Sequence, residues 1–109
     1  MMASVMSPEL EGALSELEAF YPRFEAAIAE ADAEAVADLV ADRGAAVAAV
    51  AQLTAAEPDA ALAVRERIHD GERALQEGLR ALHQQVFDAL LAHRRRARAV
   101  TRYASSSSS

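Results

Sequence analysis

Apolar positions recur at intervals of three and four along almost the whole chain. Leu10, Leu14, Leu17, Tyr21, Phe24 and Ile28 are spaced 4, 3, 4, 3 and 4 residues apart, the seam of an amphipathic helix in heptad register. Ser7 as N-cap, Pro8 at the first helical position and Glu9 in the first turn mark its start. Pro22 falls inside the run, where it removes a backbone donor and crowds the turn before it. The register continues across it, so the pattern predicts one kinked helix over 8–29. Ala29 to Asp32 breaks the run, and Asp32 is placed to cap a second helix over 33–54. Its apolar face is Val36, Leu39, Val40, Val47, Val50 and Leu53. Arg43 shares that register, with a stem that can lie along the seam and a head in water. Gly44, in mid-helix, is expected to mark a close approach.

The turn 54–59 leads, through Pro58 or Asp59, into a third helix over 59–103. Its stripe is Ile68, Leu75, Leu79, Leu82, Val86 and Leu90, with Gly71 and Gly78 each weakening it by roughly 1 kcal/mol relative to alanine. No segment alternates with period two, so no strand is expected. The fold class is therefore all-α, an elongated antiparallel three-helix bundle with a long C-terminal helix. One domain is expected over 1–104, followed by a disordered serine tail over 105–109. Two helices of equal length make a hairpin that covers about half of the third. The stripe beyond Leu82, widened by Phe87 and Leu91 and continued to Val100 and Tyr103, is expected to stay exposed unless a partner docks.

Composition sharpens this picture in one respect. Of 57 apolar residues in the 109-residue chain, 28 are alanine, so the helices can approach closely while burying little area. The cluster Phe20, Tyr21 and Phe24 holds three of the five aromatics and is expected to plug the core, or else to dock a partner.

The net charge of −6 conceals an asymmetry. Met1 to Asp59 carries 12 acids and two arginines, whereas Ala60 to Ser109 carries five acids and nine arginines. An acidic hairpin folding onto a basic helix would use that difference; oppositely charged solvated faces would show it equally. The run Arg94, Arg95, Arg96, Arg98, with Arg102, is its densest part. It can complement the macrodipole at a helix C-terminus, steer an acidic protein, or grip phosphates. Overall acidity makes a nucleic-acid or membrane-surface role the least expected.

Chemistry is sparse. Without cysteine, neither a disulfide framework nor a thiolate metal site can form. Glu66 and His69 form an E-x-x-H, but a di-iron bundle needs two such pairs and two more glutamates. His69, His83 and His93 all lie on one helix without i, i+4 spacing. No nucleophile has a base near it in sequence, and the glycines are isolated. Neither a catalytic site, a cofactor, a metal nor a small-molecule substrate is expected. Segment 1–7 has no signal-peptide pattern, and the longest strictly apolar run, Ala45 to Ala51, is too short to span a bilayer. A cytoplasmic location is expected.

Three stretches together resemble the small helical chaperones of flagellar type III export, of the FliT/FlgN kind. They are the leucine-spaced first helix closing on Ile28-Ala-Glu-Ala-Asp32, the segment Glu34 to Arg43 followed by Val47, Val50 and Leu53, and the long helix Ile68 to Leu91 closing on Ala99 to Tyr103. Pro22 lies outside that pattern. The resemblance implies a non-enzymatic chaperone that holds the helical end of a filament-cap or hook-junction protein, prevents premature assembly and hands it to the export apparatus. It points to Leu79, Leu82, Val86, Leu90 and Val100 for client contact, with Arg94, Arg95 and Arg98 steering an acidic partner or export component. The alternative is a coiled-coil homodimer whose long helices pair with each other.

Overall fold

The computed structural model describes residues 6–107, with side chains through residue 104. Met1–Val5 and Ser108–Ser109 lie outside the described residues, and with them most of the segment read against a signal peptide and the end of the serine tail. All regular structure among the described residues is helical: α1 (Pro8–Glu18), α2 (Phe20–Ala29), α3 (Ala33–Ala56), a 3₁₀ turn (Pro58–Ala60) and α4 (Ala61–Ser107). The chain divides into two compact units, Met1–Gly78 and Leu79–Ser109.

The first unit is an up-down-up bundle of α1–α2, α3 and the opening of α4. Ser7 caps α1, its hydroxyl accepting from the Leu10 amide at 3.2 Å. That hydroxyl also donates to Glu57 at 2.5 Å, and the Ser7 amide donates to the same carboxylate at 2.9 Å. The start of α1 is thereby fastened to the end of α3. Pro22 has no N–H for the Glu18 carbonyl, and its ring crowds that carbonyl. The helix accordingly breaks at Ala19, which keeps αR angles (φ −64°, ψ −19°). One right-handed residue between α1 and α2 is the kink that the continuing register predicts.

The α2–α3 turn is a Schellman closure. The amides of Ala31 and Asp32 donate to the carbonyls of Ile28 and Ala27, and Ala31 sits at φ 53°, a left-handed position that favours glycine. Asp32 then caps α3, accepting from the Ala35 amide at 3.0 Å. The core of the unit is Leu10, Leu14 and Leu17 from α1, Ala46 and Val50 from α3, Ala60 from the 3₁₀ turn and Val64 from the start of α4. Phe24 of α2 is 1% exposed. Burying each such side chain contributes about 1.5–3 kcal/mol relative to exposure.

Two glycines of α4 make close packing possible. A Cβ on Gly71 would fall under 3.0 Å from three ring atoms of Tyr21, and one on Gly78 would meet Ile28 Cδ1 at 3.0 Å. Gly44, expected to be the close-approach point, has nothing within 4 Å of its Cβ direction. It lies on the outer face of α3.

The second unit is the remainder of α4. The helix continues through Ser107. By length and composition alone α3 could cross a membrane, with an 18-residue window of mean hydropathy 1.2. The strictly apolar run Ala45–Ala51 does not reveal this, because it covers only part of the 24-residue helix. In the bundle, α3 carries Ala46 and Val50 into the core.

Candidate docking surface

Polar contacts within the first unit join α4 to both other layers. Arg67 is ion-paired with Glu11 and, at 2.8 Å, with Glu18. The Arg67 hydrogen bonds hold the Glu18 carboxyl below its ordinary range, against a smaller opposing effect of burial. Glu72 accepts from the Tyr21 hydroxyl at 2.5 Å and is ion-paired with Arg43 of α3. Burial first, and then the Glu72 carboxylate, push the Tyr21 hydroxyl well above the usual phenol range. The head of Arg43 is thus held in a network instead of lying in water, and its Nε is buried without a hydrogen-bond partner. The expected attraction between acidic and basic halves is realised here, by Arg67 and not by the arginine run.

The aromatic cluster divides. Phe24 is core, Tyr21 is tied to Glu72, and Phe20 is half-buried with the Arg23 guanidinium 5.2 Å from its ring centre. Tyr21, Phe24, Ile28, Leu75 and Gly78 line an apolar groove of about 570 Å³ with Glu25 and Asp70 among its walls.

In the second unit the expected stripe is sorted into two kinds of position. Leu82 is buried at 7% exposure and Leu79 is half-buried. Val86, Phe87 and Leu90 are about half exposed and Val100 is 69% exposed. The exposed apolar face therefore centres on Val86–Leu90, four residues further along than Leu82. Phe87, which widens the stripe in the sequence, belongs to its centre. Exposed Val40 and Leu62 have no counterpart in the expectations for the site: Val40 was placed on the buried face of its helix, and Leu62 lies off the stripe.

Arg94, Arg95, Arg96, Arg98 and Arg102 are all exposed, and none forms an ion pair among the described residues. The macrodipole does not explain them. α4 extends at least to Ser107, more than one turn beyond Arg102, and the dipole's influence falls off within the last turn. Arg94, Arg98 and Arg102 instead form an i, i+4, i+8 row. Like charges at that spacing destabilise a helix by about 0.2–0.5 kcal/mol per pair. Asp88 is the one acid of the second unit, against six arginines.

Glu66, His69, His83 and His93 are exposed, and no group of three metal-ligating side chains converges among the described residues. No protein-family profile, curated protein or solved structure matches the chain. The class the structure defines is an all-α helical protein with a long C-terminal helix.

Proposed function

We propose that the protein is a non-enzymatic cytoplasmic chaperone that holds an amphipathic helical end of a protein client on α4. The observation carrying this reading is the run Val86, Phe87 and Leu90, about half exposed on a helix whose neighbouring cations form no ion pair among the described residues. An apolar stripe of that kind captures a helix by replacing the core its free end lacks. Following the resemblance, the client is a filament-cap or hook-junction protein, and the arginines steer it or an export component electrostatically.

The test is calorimetric titration of peptides spanning the terminal helices of flagellar filament-cap and hook-junction proteins. A saturable 1:1 complex with the wild-type protein, lost in the Val86→Asp/Leu90→Asp variant at unchanged helicity, is the expected result. Undiminished binding by that variant overturns the assignment of the stripe. Absence of binding by every such peptide overturns the flagellar client.

A further inference from the structure

We propose that, without a client, the exposed face of α4 docks on the outer face of α3 in a second copy of this chain, the two helices running antiparallel. The α4 face supplies large apolar side chains, Val86, Phe87 and Leu90, followed toward the C-terminus by the unpaired row Arg94, Arg98 and Arg102. The outer face of α3 presents the complement in reverse order. It begins with Glu34, Asp38 and Asp42, exposed, without an ion pair among the described residues, and at the same i, i+4, i+8 spacing. It continues with exposed small residues at Gly44, Ala48, Ala51 and Ala55, and no charged side chain occurs from Gly44 to Ala56.

Antiparallel alignment sets Arg102 opposite Glu34, Arg98 opposite Asp38 and Arg94 opposite Asp42. The same register seats Leu90 between Gly44 and Ala48, and Val86 between Ala48 and Ala51. Rotation agrees with direction. At 3.6 residues per turn both charged rows lie on the same rotational side of their apolar stripes, taken from N- to C-terminus. Antiparallel helices bring like flanks together, whereas parallel ones would set each row against the opposite flank. Gly44 also gains a role, since it opens onto empty space in the isolated chain. Glycine and alanine allow the close backbone approach over which leucine, valine and phenylalanine can pack. The units carry charges that favour the encounter, −11 on Met1–Gly78 and +5 on Leu79–Ser109.

This pairing stands independently of the client reading, although both use the Val86–Leu90 face and so exclude each other. The test is solution mass by light scattering on three full-length proteins: wild type, Arg94→Glu/Arg98→Glu/Arg102→Glu, and Glu34→Arg/Asp38→Arg/Asp42→Arg. The wild type is expected at twice the 11.6 kDa chain mass in ~0.05 M salt, dissociating toward the monomer at ~0.5 M as screening shortens the reach of the charges. Each reversed variant is expected as a monomer, and an equimolar mixture of the two as a heterodimer, because one pairing is then restored with its signs exchanged and the other is the native pairing. Circular dichroism establishes that each variant is folded. The milder Arg98→Glu and Asp38→Arg pair serves if a triple variant is not, each alone weakening the dimer roughly tenfold.

A monomeric wild type at low salt overturns the proposal. So does a dimer unaffected by either reversal, which would leave pairing of the long helices with each other. Peptide binding by a folded, monomeric reversed variant bears only on the client reading.

Discussion

Replacing Gly71 by alanine should destabilise the protein, although the same change at Gly12 should stabilise it. Both positions are helical, and alanine is better than glycine in a helix interior by about 1 kcal/mol. At Gly12 nothing lies within 4 Å of the new Cβ, so that gain is realised. At Gly71 the Cβ would fall under 3.0 Å from Tyr21 Cε2, Cδ2 and Cζ. The ring cannot swing away freely, because its hydroxyl is held by Glu72, which is in turn ion-paired with Arg43. Overpacking of this kind costs about 1–3 kcal/mol. Losing the hydrogen bond to a charged acceptor adds about 1.5–3 kcal/mol if the ring is expelled. After the helix-propensity gain of about 1 kcal/mol, Gly71→Ala with the ring expelled is expected to lose about 1.5–5 kcal/mol, a fall in Tm of several degrees or more for a domain of this size. Thermal and urea unfolding of both variants measure this. In a Tyr21→Ala background the clash is gone, and Gly71→Ala should become stabilising. Equal gains at Gly12 and Gly71 in the wild-type background would refute the reasoning.

Three other perturbations probe the same unit. Ala31→Gly should stabilise by about 1 kcal/mol, read as a higher urea midpoint, because Ala31 holds a left-handed φ of 53° that glycine adopts without penalty. Tyr21 keeps its proton in the folded protein at pH values where the unfolded chain, near pH 10, releases it. Stability should therefore fall as pH rises above about 10, and Tyr21→Phe should flatten that decline in urea midpoints. Glu18 is depressed by Arg67, so its contribution is present above the ordinary carboxyl range and lost as pH falls through its lowered value. Glu18→Gln should lower stability at neutral pH and make the acid limb of the Tm profile shallower.

The helices were legible in the sequence because their signals are local. Ser7 and Asp32 cap the helices their positions announce, and Leu10, Leu14 and Leu17 lie buried where a seam of threes and fours puts them. Pro22 bends the path without ending it, since the break it causes is one right-handed residue. The glycines were misread because close approach depends on which face of a helix meets a neighbour. Gly44 faces outward, whereas Gly71 and Gly78 meet Tyr21 and Ile28. Arg43 was placed in water because its partner, Glu72, is 29 residues away. Within the stripe, periodicity selects Leu79, Leu82, Val86 and Leu90 together, and only the tertiary packing separates buried Leu82 from exposed Leu90. The role of the arginines could not be weighed without the end of α4. A helix ending near Tyr103 would put Arg102 in its last turn, and one reaching Ser107 does not.

The central claim is that Val86–Leu90 is a docking face for a helix. Amide hydrogen exchange followed by mass spectrometry, with the protein dilute enough to be monomeric, tests it most directly. Adding a saturating terminal-helix peptide from a filament-cap or hook-junction protein should slow exchange across residues 83–100 and leave α1 unchanged. Slowed exchange confined to the Tyr21–Gly78 groove, with residues 83–100 exchanging as in the free protein, would contradict it.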